Sequence, residues 1–81
     1  MKVAYTERVR RSLGELPDAV RRAFFKQIRF LAQDLHHPSL RAKKYDERRD
    51  LWQARVNGDW RFYFQIHDDV YYIVNIVPHP K

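Results

Sequence analysis

At 81 residues, with 44% hydrophobic and 15% aromatic content, the chain is long enough for one domain with a core and too apolar to stay disordered. It has no cysteine, which excludes disulfides and thiolate metal sites and fits a reducing cytoplasm; it also has no apolar run long enough for a bilayer and no signal-peptide pattern at its start. A formal charge of +6 and a pI near 10.0 suit a polyanion (RNA, DNA or an acidic protein partner) and fit a merely basic protein equally well.

In chain order, residues 2–5 form a short strand candidate. Thr6 is placed to cap a helix starting at Glu7, with Val9, Leu13 and Leu16 on one side. Gly14 weakens that helix and Pro17 interrupts it. Pro17 also suits the first position of a second helix, with Asp18 in its first turn. In this second helix Val20, Phe24, Ile28, Leu31 and Leu35 fill one arc, and Arg22, Lys26 and Arg29 fall opposite. Phe25 and Phe30 lie outside the apolar arc. They either pack on the first helix or face a partner. His36-His37-Pro38 ends the helix, since histidines suit a helix C-terminus and proline stops propagation. Adjacent histidines rarely chelate one ion together, and no third ligand sits at zinc spacing, so no metal site is expected.

Residues 39–50 are polar and irregular, and they read as a loop carrying Arg41, Lys43, Lys44, Arg48 and Arg49. Such a loop serves phosphate contact or is a solvated connector. Three strands follow. Trp52, Ala54 and Val56 alternate with Gln53 and Arg55. Trp60, Phe62, Phe64 and Ile66 alternate with Arg61, Tyr63 and Gln65. Tyr72, Val74 and Ile76 alternate with Ile73, Asn75, Val77 and His79. Asn57-Gly58 hints at a two-residue turn, but that register pairs Arg55 with Trp60 and puts charge on the core face. A three-residue loop, Asn57-Gly58-Asp59, instead pairs Val56 with Trp60 and Arg55 with Arg61. The same reasoning at Asp68-Asp69-Val70 pairs Phe64 with Val74 and Tyr63 with Asn75, and brings His79 toward Asp59.

This register makes Arg55 and Arg61 cross-strand neighbours. Like charges side by side cost stability and ask for an anion between them. A phosphodiester matches the forked guanidinium geometry. Tyr63 suits stacking on a base, and Gln53 lies on the same face. A histidine titrates near neutrality and can move a proton, so His79 is a proton-transfer candidate with Asp59 placed to orient it. Lys43 and Lys44 are within reach from the loop. Together these residues suit metal-free RNA cleavage. The 2′-OH attacks its own phosphate, a base takes the hydroxyl proton, an acid protonates the leaving 5′-oxygen, and cations stabilise the charge on phosphorus. The same arginines equally fit acidic side chains of a partner, and Tyr63 equally fits an ordinary strand position.

These residues, in this order, resemble the RelE/ParE superfamily of type II toxin–antitoxin toxins. The likeness covers nearly the whole chain. Its most specific stretches are HPSLRAKKYDERRDLWQARVNGDWRFYF and the ending IVNIVPHPK. The resulting expectation is an α+β fold in one domain, residues 1–81, with an N-terminal helical hairpin packed on a small, mostly antiparallel four-stranded sheet. The resemblance implies a ribosome-dependent mRNA endoribonuclease without a cofactor, neutralised by an antitoxin that wraps it. The implied state is a monomer or a toxin–antitoxin hetero-oligomer in the cytoplasm. ParE-like members share the fold but poison DNA gyrase, and a catalytically inactive binding protein is a related alternative.

Residue by residue, the resemblance implies that Arg61 acts on the scissile phosphate. Asp59-Trp60 resembles the Asp-Trp pair of the YafQ-like branch, and His79 falls at its C-terminal catalytic histidine. Arg55 sits where that branch has another histidine, so its implied role is phosphate binding. Arg41, Lys43, Lys44, Gln53 and Tyr63 complete the expected RNA-binding set. Asn75 departs from the pattern, falling where an arginine is expected. Pro80 stands in place of a frequent polar residue, and the chain ends two residues after His79. Many active relatives continue to a functional aromatic residue there.

Overall fold

The computed structural model describes residues 1–79. Strand β1 (Lys2–Tyr5) leads into helices α1 (Glu7–Glu15) and α2 (Asp18–Gln33). A 3-10 turn (Pro38–Leu40) and strands β2 (Lys43–Asp46), β3 (Leu51–Arg55), β4 (Trp60–His67) and β5 (Val70–Pro78) follow. The sheet has five strands in the order β1-β5-β4-β3-β2, with β1 parallel to β5 and every other pair antiparallel. The class is the expected α+β, but the sheet has one strand more. The segment read as a loop contains β2. As an edge strand β2 pairs on one side only, so it tolerates lysines and lacks the apolar alternation that marks a central strand.

Thr6 caps α1 as the sequence predicts, its hydroxyl accepting from the Val9 N–H at 3.3 Å. Leu16 ends the helix in an extended conformation, the state favoured before a proline. Pro17 is the N-cap of α2 rather than its first residue. The Arg21 guanidinium then donates to the Leu13 carbonyl at 2.9 Å, tying α2 to a carbonyl that the end of α1 leaves unpaired. Helix α2 stops at Gln33, ahead of Leu35. Its cap, Asp34, turns extended and accepts the His36 N–H on its carboxylate at 2.9 Å. Phe30 stacks on His37 at 3.9 Å, not on α1, while Phe25 meets Tyr5 and Phe24 edge-on.

The core is the apolar arc of α2 laid on one face of the sheet. Val20, Phe24, Ile28 and Leu31 pack with Ala54, Val56, Phe62, Phe64, Tyr71, Ile73 and Ile76. Phe24 meets Phe62 edge-to-face at 5.5 Å, and Phe62 continues the row to Phe64 at 5.8 Å. Arg22, Lys26 and Arg29 face solvent.

The β3–β4 hairpin has the predicted register. Arg55 pairs with Arg61, and the Val56 N–H donates to the Trp60 carbonyl at 3.0 Å across the loop Asn57-Gly58-Asp59. Asn57 holds that loop by accepting the N–H groups of Asp59 and Trp60 at 2.8 and 3.0 Å. The β4–β5 hairpin departs from expectation. His67 pairs with Val70 across a two-residue turn in which Asp68 is left-handed (φ 54°), a conformation that aspartate tolerates. The register then shifts: Tyr63 pairs with Asn75 as predicted, but Phe64 pairs with Ile73 rather than Val74. Val74 is the extra residue of a bulge, which inverts the facing of everything between it and the turn. Tyr71 and Ile73 therefore enter the core, and Tyr72 points outward.

No helix among the described residues is long and apolar enough to cross a membrane. Among the described residues no group of three His, Cys, Asp or Glu side chains is placed to hold a metal ion. Pro80 lies outside the described residues.

Candidate functional site

The face of the sheet opposite the core is built from alternate residues of β2 to β5. Side chains two apart on a strand share a face, and cross-strand partners stand side by side. One row runs Lys43, Gln53, Tyr63, Asn75, and the next runs Arg55, Arg61, Val77. At one end of this face lies a concavity of about 240 Å³, lined by Arg41, Lys43, Gln53, Arg55, Arg61 and His79. It has cations from three parts of the chain and an imidazole on its rim. None of the ion pairs among the described residues involves these four cations.

Each group is held by a local device. Arg41 follows the 3-10 turn in a left-handed conformation (φ 47°), which swings the chain into β2 beside the concavity. That conformation is uncommon for a side chain of this size. The Arg61 guanidinium donates through one nitrogen to the carbonyls of Asn57 and Trp60, at 2.6 and 2.9 Å. The turn thus fixes the guanidinium and leaves its other nitrogens for an anion. His79 is fixed through its backbone, its N–H donating to the Asp59 carbonyl at 2.7 Å. Asp59 itself sits on the exposed turn. A second concavity, about 500 Å³, adjoins the first through Arg41 and Arg55 and runs toward Lys26 on α2.

Three predicted residues lie outside the lining of the concavity: Asp59 on its turn, Lys44 and Tyr63. Lys44 points the other way from Lys43, as neighbours on a strand must. It pairs with Asp50, and its ammonium lies 5.1 Å from the centre of the Trp52 ring. Tyr63 lies one row over. Its hydroxyl accepts from Gln53 at 2.9 Å, and its ring meets Tyr45 edge-on at 5.1 Å.

Comparison with known proteins identifies the frame around this site. A family model described as the ParE toxin of type II toxin–antitoxin systems (parDE) matches residues 3–80. The chain belongs to the ParE toxin family. RelE of the archaeal RelE–RelB complex from Pyrococcus horikoshii OT3 superposes with a TM-score of 0.78 at 26% identity, over 95% of this chain and 92% of the other. The YoeB/ParE toxin from Agrobacterium tumefaciens gives 0.81 at 14% identity, over 99% and 100%. A conserved hypothetical protein from Helicobacter pylori gives 0.60 at 10% identity, over 98% and 94%. No curated protein matches the sequence. The RelE/ParE resemblance seen in the sequence is thus correct at the level of superfamily and fold.

Sequence reasoning missed two residues of this toxin's site region. Gln27 is buried within the apolar arc of α2, where it donates to the carbonyls of Ser39 and Arg55 (2.9 and 2.8 Å) and accepts from the Ser39 hydroxyl (2.9 Å). It clamps the 3-10 turn and the backbone of Arg55 to the helix. The signal was available: a glutamine three residues after Phe24 and four before Leu31 falls on the buried face, where a polar group needs partners. Gln27→Leu keeps the volume but orphans two carbonyls. The expected loss is about 1–3 kcal/mol, read from urea denaturation at unchanged m-value. The other residue, Tyr45, was hidden by reading β2 as loop.

The Lys44–Asp50 pair gives a pH signature outside the concavity. The hydrogen bond from Lys44 holds the Asp50 carboxyl below the usual aspartate range, with the charges of Lys44 and His67 acting in the same sense and partial desolvation opposing. A depressed folded pKa favours the folded state above the unfolded value of about 3.9, and that contribution disappears as pH falls through the folded value. Lys44→Met is therefore expected to be less stable than wild type at neutral pH, with the gap closing on acidification below about pH 4. Chemical denaturation at a series of pH values measures this. A gap independent of pH would assign the effect to packing on Trp52.

Proposed function

We propose that this toxin is a ribosome-dependent mRNA endoribonuclease that cleaves by attack of the RNA 2′-OH on the neighbouring phosphodiester. The supporting observation is the concavity itself, where Arg41, Lys43, Arg55 and Arg61 line one space of about 240 Å³ with His79 at its rim. In this reading Arg55 and Arg61 take the charge that builds on the phosphoryl oxygens, which is where fixed cations contribute most. Lys43 and Arg41 hold the flanking backbone. His79 protonates the leaving 5′-oxygen. The reaction needs two proton transfers, and the concavity has one imidazole. With His79 as the acid, the base that takes the 2′-OH proton, or an RNA geometry that eases its task, comes in this reading from the ribosome. That requirement is in keeping with the ribosome dependence proposed here.

The setting that fits this reading is the cytoplasm, with a cognate antitoxin as the controlling partner. The archaeal relative was solved as a RelE–RelB complex. A toxin of charge +6 calls for an acidic covering segment. The family model, with its ParE description, favours a second reading: a non-nuclease toxin directed at gyrase.

Primer extension on mRNA from a reconstituted translation reaction separates the two. The nuclease reading expects cuts that require both toxin and ribosomes. Intact mRNA, together with inhibition of gyrase supercoiling by the same preparation, would establish the second reading instead.

A further inference from the structure

Beside the cationic concavity, the same open face carries a separate depression of about 400 Å³, lined among others by Arg8, Tyr45, Tyr63, Gln65, Asn75 and Arg49. The hydrogen-bonded Gln53–Tyr63 pair separates the two. The character of this depression differs from that of the cationic concavity. Its lining combines the rings of Tyr45 and Tyr63 and the apolar Leu51 and Val74 with two amides and two arginines. Tyr45 is 59% exposed, the most exposed of the large hydrophobic side chains, although it stands on a strand next to a tyrosine it could have covered. It meets Tyr63 edge-on at 5.1 Å and 69°, so the face of one ring stays available. Gln65 donates its amide N–H to the Arg49 carbonyl at 2.9 Å, and the Asn75 side-chain oxygen accepts from the Ile76 N–H at 3.0 Å. Those bonds fix both amides while leaving the Gln65 oxygen and the Asn75 NH₂ to address a ligand's edge.

Resting on the nuclease reading, we propose that this depression is a base-binding subsite. It takes the nucleobase of a nucleotide next to the scissile phosphate, stacked on Tyr45 and read at its edge by Gln65 and Asn75. Spacing agrees. Arg61 and Tyr63 are alternate residues of β4, hence roughly 7 Å apart along the strand, and the Tyr45 ring meets Tyr63 at 5.1 Å, so the depression lies one step along the sheet from the concavity. The chemistry agrees as well. An exposed aromatic ring beside cations is how single-stranded nucleic acid is held, and amide side chains discriminate base edges. Arg8 and Arg49 then meet the backbone leaving the subsite. Arg49 is already leaning on Asp46 at 3.5 Å, so Arg8 is the stronger contact.

The test compares wild type, Tyr45→Phe and Tyr45→Ala on programmed ribosomes under single-turnover conditions. Toxin concentration is varied and cut sites are mapped by primer extension. Circular dichroism checks that the variants fold, which an exposed side chain makes straightforward. Tyr45→Ala should raise the half-saturating toxin concentration about 5- to 150-fold, the range for losing one stacked base, and redistribute the cut sites. The maximal rate should change far less. Tyr45→Phe should behave as wild type, because stacking does not need the hydroxyl. Unchanged saturation and cut sites in Tyr45→Ala would overturn the subsite while leaving the nuclease reading intact. If Tyr45→Ala instead cleaves normally but escapes antitoxin, the depression is a protein-docking surface and the proposal fails. A wild-type protein that cuts nothing removes both readings together.

Discussion

His79→Ala is expected to lower the single-turnover rate of mRNA cleavage by about 10²- to 10⁴-fold, the range for losing a positioned proton-transfer group. The loss should appear in the maximal rate and leave the toxin's affinity for programmed ribosomes almost unchanged, because an exposed imidazole at the rim adds little to binding. Folding should be unaffected. The bond that anchors this position runs from the backbone N–H of residue 79 to the Asp59 carbonyl, and alanine keeps it. Arg61→Ala makes an informative contrast. It removes a charge lining the concavity and also two hydrogen bonds to the carbonyls of Asn57 and Trp60, so it should lose both activity and some stability. Quench-flow cleavage and thermal melts on both variants separate the two effects. If His79→Ala cuts at the wild-type rate, the proton is carried by another group and the assignment of His79 is wrong.

Phe24→Ala is expected to cost about 3–5 kcal/mol, the range for truncating a buried aromatic. Phe24 is fully buried and meets Phe62, Phe25 and Tyr5 with ring centres between 5.3 and 6.3 Å, so it joins α2 to the sheet and to β1. A domain of 81 residues has a total stability of roughly 4–12 kcal/mol, so this one change removes a substantial share of it. Urea denaturation measures it directly, and the neighbouring Phe25→Ala is the control. Phe25 is 38% exposed, and its truncation should cost clearly less. Equal losses at the two positions would contradict the packing described for α2.

Much of the candidate site was legible from a single decision about the β3–β4 loop. A two-residue turn would have driven arginine into the core, so parity alone placed Arg55 opposite Arg61 on the open face. The phase of β5 was not legible in the same way. Between Val70 and Val77 nearly every residue is apolar, so alternation carries no sign, and a bulge at Val74 shifts the phase without leaving a glycine or proline to mark it. β2 was hidden for a different reason. An edge strand pairs on one side only, and its lysines and tyrosine look like loop composition. Missing β2 blurred the choice between Lys43 and Lys44, since only a strand forces adjacent side chains to opposite faces. Gln27 was legible in principle, because its place on the helical wheel is a buried one. Arg41 could be read only as a basic loop residue. Its aim depends on a left-handed backbone that no residue type in the sequence announces.

The chemistry of the cut ends tests the central claim most directly. Attack by the 2′-OH leaves a 2′,3′-cyclic phosphate on the upstream fragment and a 5′-hydroxyl on the downstream one. Fragments from wild-type toxin and programmed ribosomes would be analysed by mass spectrometry, beside an mRNA carrying a single 2′-deoxy nucleotide at the mapped site. The account predicts cyclic phosphate ends and no cut at the deoxy position. A 3′-hydroxyl with a 5′-phosphate, or undiminished cleavage at the deoxy nucleotide, would show that the 2′-OH is not the nucleophile and would contradict the account.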